Sequence, residues 1–236
     1  MENILLPGAQ KRSLSFFLAM EEYVAAAYGC GFFVWQVDPT VIIGRNQDIE
    51  TEVNLQFCRE QGINVVRRRS GGGCVYADRG NLMLSYITKE RGVETVFPAF
   101  LKRVAACLSS FGPAAEVSGR NDVLIGGRKV SGSAFFAHPS ASIVHCTLMH
   151  SVDLDMLQMA ITPSAEKLAK HSVKSVRQRV ANMADIVPGL KAEDLGSTLT
   201  DYFCDSSRCL SDAEISAIEE LQKSYDDPAF ILGKAL

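Results

Sequence analysis

A chain of 236 residues, 47% hydrophobic and 22% charged, is long enough for one globular domain whose core needs neither disulfides nor metal staples. Its 24 basic and 27 acidic residues leave a formal charge of −3, without the basic excess that drives sequence-independent nucleic-acid binding. No apolar run approaches the roughly 20 residues needed to cross a bilayer, which excludes a helical membrane protein.

The N-terminal apolar patch is broken at once by Pro7 and Gly8, so it does not read as an export signal. Seven cysteines without paired CxxC spacing argue against a disulfide framework and for a reducing, cytoplasmic setting. Cys204 and Cys209 bracket CDSSRC, but no second pair completes a tetrahedral zinc site.

Residues 13–27 predict a helix: apolar residues at helical spacing follow a serine able to cap the first turn, and Gly29 and Gly31 end the run. Residues 32–35 and 40–43 are β-branched and aromatic and flank Asp38 and Pro39, which predicts a pair of strands joined to each other. A helix over 53–61 feeds a strand over 63–69, and beyond a glycine-rich loop residues 81–88 predict a buried strand. Residues 96–111 carry a helical period that stops at Gly112 and Pro113. Segments 122–125, 128–136 and 142–149, joined by Gly126 and Gly127 and by His138 and Pro139, predict an antiparallel meander. Further helices fall at 156–161, around 192–204 and at 212–225, giving an α+β pattern rather than strict βαβ alternation. The basic run KLAKHSVKSVRQR at 167–179 is either a solvated helix face or an electrostatic guide for an acidic partner.

Two segments carry chemistry. RRRSGGGCVYADRGN, residues 67–81, sets three arginines against Gly71, Gly72 and Gly73. Residues without a Cβ let the backbone approach a ligand and present N–H groups as fixed partial positive charges, which suits phosphate or carboxylate oxygens. Arg67, Arg68 and Arg69 follow a strand, so alternate arginines point to opposite faces and only one or two reach a ligand in the loop. The pattern is neither GxxxxGK(S/T) nor GxGxxG, so neither a P-loop nor a Rossmann reading has support, and a GGG standing alone would mean no more than a turn. SGRNDVLIGGRKVSGSAF, residues 118–135, places Asp122 and Lys129 on two strands across a Gly126–Gly127 turn, where their side chains could face one site. A carboxylate there can hold magnesium, and an ammonium can neutralise a phosphate and a carboxylate reacting with each other. A single acid or lysine carries no such meaning by itself, since most are structural acceptors or solvated charges.

RRRSGGGCVYADRGN, GRNDVLIGGRKVSG, HCTLMHSVDL and KSVRQRVANMADIVPG occur here in the order seen in lipoate-protein ligase A, and the chain resembles that family from about residue 14 to 190. The resemblance implies a catalytic domain related to biotin-protein ligases, α+β with mixed, largely antiparallel sheets flanked by helices. It implies that lipoate and ATP, with magnesium, give lipoyl-AMP, whose acyl group passes to a lysine of a lipoyl domain. Acceptors of that kind are the acyltransferase subunits of 2-oxoacid dehydrogenases and the glycine-cleavage H protein. By the same resemblance Lys129 is the essential lysine, Arg68 and the turn Gly73, Cys74, Val75 and Tyr76 contact nucleotide, and Gly71, Gly72 and Gly73 line the acyl-adenylate. Asn81 is then expected to orient the loop or bind ligand, His145 and Thr147 to border the acyl-adenylate, Trp35 and Val75 to wall a slot for the dithiolane chain unless Trp35 is ordinary core, and Asp122 is the candidate magnesium ligand.

The chain departs from the pattern in three places. Cys146 stands where the family usually has the glycine of HGT: a thiol that could accept an acyl group, or a buried small hydrophobe. Phe17 stands where asparagine is frequent, with no assigned effect. The expected organisation is a single catalytic domain over 1–236 without the C-terminal accessory domain many members carry, hence either a small self-sufficient ligase or a subunit needing a separate accessory protein. A transferase using a preformed acyl donor without ATP, and a non-enzymatic binder of lipoyl-AMP, are the competing readings.

Overall fold

The computed structural model describes residues 1–8, 11–162 and 179–233; of the basic run at 167–179, only Arg179 falls among them. In chain order the elements are β1 (Glu2–Leu5), α1 (Leu14–Ala27), β2 (Gly31–Trp35), β3 (Thr40–Ile43), α2 (Ile49–Glu52), α3 (Leu55–Glu60), β4 (Asn64–Arg67) and β5 (Val75–Ala77). Next come β6 (Asn81–Thr88), α4 (Val93–Ser109), β7 (Ala115–Ser118), β8 (Asp122–Ile125), β9 (Arg128–Ala137), β10 (Ser142–Met149) and α5 (Leu154–Ala160). Past the undescribed stretch lie α6 (Met183–Ile186), α7 (Ala192–Phe203), β11 (Ser206–Cys209), α8 (Asp212–Asp226) and α9 (Pro228–Ile231).

Among the described residues the strands form an eight-stranded sheet, ordered β11-β1-β2-β6-β10-β9-β8-β7, and a three-stranded sheet, β4-β3-β5. Pairing is antiparallel except for β1 with β11, β1 with β2, and β3 with β4. The fold is α+β, with mixed, largely antiparallel sheets and flanking helices.

Alternation along the central strands divides the core. Phe33 and Trp35 on β2, Met83 and Ile87 on β6 and Ile143 on β10 pack with α1 and α8. Phe32, Leu82, Leu84, Val144, Cys146 and Leu148 point to the opposite face, beneath α4 and α7. Both faces are therefore covered, which is why β10 is buried along its whole length. The smaller sheet closes over its own cluster, including Val41, Ile43, Tyr76, Met149 and Leu157. Ser13 caps α1 through a hydrogen bond from Phe16 N, and a Ser211–Glu214 capping box starts α8. No described helix is long and apolar enough to cross a membrane.

Two expectations differ from the fold. β2 and β3 do not pair: β2 lies between β1 and β6, whereas β3 lies between β4 and β5. The four-residue connection 36–39 carries no glycine or Asn-Gly type turn that would close a tight hairpin, and the chain leaves one sheet and starts another. The helix expected over 53–61 is α3, which starts only at Leu55 because Val53 is extended and bridges to Ile161, and the short α2 before it was not expected.

Candidate active site

A cavity of about 490 Å³ opens over the α1 side of the large sheet, and the strand register dictates what lines its floor. Trp35 pairs with Met83, Met83 with Thr147, Thr147 with Gly132 and Gly132 with Asp122, across β2, β6, β10, β9 and β8. Directly paired residues project to the same face, so this row forms one continuous floor, apolar at Trp35 and ionic at Asp122. All five residues line the cavity. At the apolar end Trp35 stacks on Phe17 of α1, ring centroids 4.3 Å apart, and Leu14 and Leu18 add to the wall.

Lys129 reaches this face through an irregularity. Register along β8 and β9 shifts between Val123, paired with Ser131, and Leu124, paired with Lys129, which leaves Val130 as an extra residue. Val130 turns into the opposite core, and the parity change brings Lys129 to the side of Asp122. Lys129 Nζ lies 2.7 Å from Asp122 Oδ1, and Arg179 Nη2 donates to Asp122 Oδ2 at 2.5 Å. One carboxylate thus faces two cations. Burial pushes the Lys129 pKa down, Asp122 opposes that shift, and Arg179 and Arg68 add to it. No group of three or more His, Cys, Asp or Glu capable of holding a metal occurs among the described residues, and both oxygens of Asp122 are engaged by protein cations.

The three arginines divide their labour. Arg67, 1% exposed, donates Nη1 to the carbonyls of Gly44, Arg45 and Gln47 and Nε to that of Ile231. Arg69 pairs with Glu22, donates to Ser224 Oγ, and lies over the rings of Tyr225 and Phe230. Both anchor C-terminal helices and neighbouring loops. Arg68 serves the glycine loop: Nη2 donates to the carbonyls of Gly71 and Gly73 at 2.7 and 2.8 Å, Nη1 to Ile42 O, and Nε to Ser70 Oγ. In a trans peptide the C=O and N–H point in opposite directions, so carbonyls turned toward Arg68 send the amides of Gly72 and Cys74 away from it. Gly72, at φ 92°, permits that turn, and Gly72, Gly73 and Cys74 line the cavity. Burial lowers the Arg68 pKa to about 10, still high enough to keep its charge behind the loop at neutral pH.

Of the residues singled out from sequence, Arg68, Gly72, Gly73, Cys74, Val75, Tyr76, Asn81, Asp122, Lys129, His145, Thr147 and Trp35 line the one cavity, and Gly71 holds Arg68 just behind it. Cys146 also borders it, with its thiol turned into the lower core, where burial pushes the pKa up to about 12; the neighbouring Ser131 and Ser133 hydroxyls pull the other way. Tyr76 reaches the cavity from β5, which the sequence presented only as part of the loop. Sequence reasoning missed Arg179, Glu21 and Ser70. Glu21 Oε2 is 2.9 Å from His145 Nδ1, and His145 Nε2 is 2.6 Å from Ser70 Oγ. The only signal for Glu21 was the Glu21–Glu22 pair within a largely apolar helix.

Residues 14–204 match the family model of the lipoyl protein ligase A/B catalytic domain. The chain belongs to that family. Lipoate-protein ligase LplJ of Bacillus subtilis is 43% identical over 157 residues, which make up 66% of this chain and 47% of that protein. The chain spans about half the length of the curated relatives it matches. A solved structure from the Thermoplasma acidophilum lipoylation system, a bi-partite lipoate protein ligase and its E2 lipoyl domain, superposes with a TM-score of 0.86 at 27% identity, covering 99% of this chain and 97% of that one. A lipoate-protein ligase A bound with ATP gives 0.83 at 25% identity, covering 99% of both chains. The match to the family model takes in the glycine loop, Asp122, Lys129 and Arg179, whereas α8 and α9, which Arg67 and Arg69 grip, lie beyond it.

Proposed function

We propose that this protein is an ATP-dependent lipoate-protein ligase, which converts lipoate to lipoyl-AMP and passes the lipoyl group to a lysine of a lipoyl domain. The observation that carries the reading is the graded floor: one cavity runs from Trp35 and Met83 to Asp122 and Lys129, with the glycine loop beside it. That shape suits a carboxylic acid with an apolar tail whose carboxylate must meet a nucleotide phosphate.

On this reading the tail lies against Trp35 and Val75, and the carboxylate comes to rest near Lys129. The amides of Gly72 and Cys74 and the charge of Arg68 behind them favour the phosphate. Lys129 has three ammonium hydrogens; one faces Asp122 and two remain to hold the carboxylate and the α-phosphate together. A carboxylate oxygen attacks the α-phosphorus, the bond to pyrophosphate breaks, and an acyl-adenylate forms. The acceptor lysine's neutral amine then attacks the acyl carbon, AMP leaves, and the amine loses a proton. Magnesium would come in on the nucleotide phosphates, since one carboxylate makes no metal cage; any role for Asp122 in holding it requires release from Lys129 or Arg179. A cytoplasmic setting, where ATP is at hand, fits seven cysteines that are all free.

Lipoyl domains of 2-oxoacid dehydrogenase acyltransferase subunits and the glycine-cleavage H protein are the acceptors to try. Mass spectrometry of such a domain after incubation with the protein, lipoate, magnesium and ATP tests the proposal: an added lipoyl mass with pyrophosphate release is expected. Likeness to a bi-partite ligase favours a second form of the reading, in which adenylation draws on a separate accessory protein, so one arm includes candidate accessory proteins. Transfer from synthetic lipoyl-AMP but never from lipoate and ATP, with or without them, would replace the ligase by a transferase. Tight nucleotide binding with no acyl transfer would leave only a binding protein.

A further inference from the structure

An unbroken chain of buried hydrogen bonds joins the apolar end of the cavity to the glycine loop. Trp35 Nε1 donates to Ser85 Oγ at 2.9 Å, and Ser85 Oγ donates to Glu21 Oε1 at 2.5 Å. From the other end Arg68 Nε donates to Ser70 Oγ at 3.0 Å, Ser70 Oγ lies 2.6 Å from His145 Nε2, and His145 Nδ1 lies 2.9 Å from Glu21 Oε2. Indole and guanidinium nitrogens can only donate and a carboxylate can only accept, which orients the chain around a neutral imidazole. Ser85 receives a proton from Trp35 and so gives its own to Glu21. Glu21 as a carboxylate can only accept, so His145 Nδ1 carries the proton of that bond; in the neutral imidazole Nε2 then accepts the Ser70 hydroxyl proton, while the Ser70 oxygen accepts from Arg68 Nε. The two lines converge on one side chain, and it must accept from both.

Ser70, His145 and Glu21 have the connectivity of a serine nucleophile, its base and an orienting acid. Two observations argue against that chemistry. Ser70 is 2% exposed and not part of the cavity lining, and its oxygen is engaged by the Arg68 N–H. What the chain can do is hold Ser70 and the Arg68 side chain in fixed places, and Arg68 in turn holds the carbonyls of Gly71 and Gly73.

We propose that Glu21 is a positioning residue for the glycine loop, acting through His145 and Ser70 as the acceptor at which both donor lines end. The proposal rests on the reading of that loop as the nucleotide cradle. Glutamine at position 21 keeps the shape but carries an amide that must donate to Ser85 or to His145. Ser85 is fixed in a strand between β2 and β10, whereas Ser70 lies in a loop, so the conflict moves to the His145 side. His145 Nδ1 then becomes an acceptor, Nε2–H points at Ser70, and the Ser70 hydroxyl proton loses its place.

The test is Glu21→Gln in the full chain, read by the 15N tautomer signals of histidine-labelled protein and by the KM for ATP. The expected result is Nδ1–H at His145 in the wild type, Nε2–H in the variant, and a KM for ATP raised roughly tenfold with kcat changed far less. Retention of Nδ1–H together with an unaltered KM would overturn the proposal, as would covalent labelling of Ser70 by a fluorophosphonate. Should Glu21→Gln not fold, Ser70→Ala decides: it should keep Nδ1–H at His145 and raise the KM by a similar factor, and an unaltered KM refutes the role. Where both variants fold, the double variant should be no worse than either alone, because both cut one line; additive losses would count against it. A wild-type protein that uses no ATP sinks the proposed function, while the tautomer of His145 still judges the network.

Discussion

Gly132→Ala isolates the placement of one ammonium group. A Cβ at Gly132 would lie 2.4 Å from Lys129 Nζ and 2.6 Å from Lys129 Cε. Ordinary non-bonded separation is about 3.5–4.0 Å, so the end of the lysine must retreat by roughly 1 Å or more. The obstacle is the tip of a flexible side chain and the backbone at Gly132 is not in the left-handed region, so the strand itself has no reason to move. Asp122 keeps Arg179 when Lys129 withdraws, so no buried carboxylate is orphaned. Stability should therefore change little, with Tm within a few degrees of the wild type. Activity should not survive as well: a displacement of about 1 Å can cost on the order of 100-fold in rate, about 2.7 kcal/mol in the barrier. Pyrophosphate release and acylation of a lipoyl domain, measured beside a thermal melt, give both quantities from one preparation. Full activity at an unchanged Tm would refute the argument that Lys129 acts from this position. A drop of more than about 10 °C would refute the argument that only the lysine tip yields.

Lys129→Ala should abolish acyl transfer while leaving the circular dichroism spectrum and melt close to wild type; near-normal turnover would remove Lys129 from the mechanism. At Gly44 a Cβ would meet the backbone oxygen of Gly72 at 2.2 Å, and backbone cannot swing aside, so Gly44→Ala should displace the glycine loop and weaken ATP binding by roughly tenfold or more in calorimetry. Unchanged affinity would show that the loop is not the nucleotide cradle. Cys146, with its pKa pushed up to about 12, is a poor nucleophile, so Cys146→Ser should transfer lipoyl within about twofold of wild type; loss of transfer would revive a thioester route. Glu214 is held down to about 2 from the ordinary 4.5, first by the Ser211 backbone N–H and then by the Tyr28 hydroxyl. A depressed carboxylate stabilises above its unfolded pKa and loses that contribution as pH falls through the folded one, so Glu214→Gln should be less stable than wild type at neutral pH, with the gap closing between pH 4.5 and 2. A gap that persists at pH 2 would place the effect elsewhere.

Local pattern was enough for α1, β6, α4 and the β8–β10 meander, because each is set by its own periodicity, its caps and its glycines. It was not enough for β1 and β11, whose parallel pairing joins Glu2 to Ser206 and depends on nothing within either short segment. It also could not tell whether two neighbouring strands pair, which is how β2 and β3 came to be expected together. The site shows the same division. Chemistry-bearing residue types were legible, but what each side chain grips was not: Arg67 and Arg69 hold distant helices, and only Arg68 turns to the loop. Lys129 illustrates the limit most directly. Strict alternation back from Gly132 would put Lys129 in the opposite core, and only the extra residue at Val130 returns it to the face of Asp122.

On the proposed reading, the glycine loop would owe its affinity for an anion to an arginine that need not touch the anion. Arg68 takes two carbonyls of the loop for itself, and the trans geometry of the peptide then sends the following amides the other way. Lysine at position 68 would keep the charge and lose the fork that holds Gly71 O, Gly73 O, Ile42 O and Ser70 Oγ together. If charge alone mattered, Arg68→Lys would leave ATP affinity nearly intact. If the fork sets the amides, the substitution should cost roughly tenfold or more in affinity and lower the melt as well, because the buried carbonyls lose their partners. Calorimetric titration of ATP into Arg68→Lys therefore separates an arginine that binds the ligand by charge from one that shapes the loop, and affinity within about twofold of wild type would rule out the second.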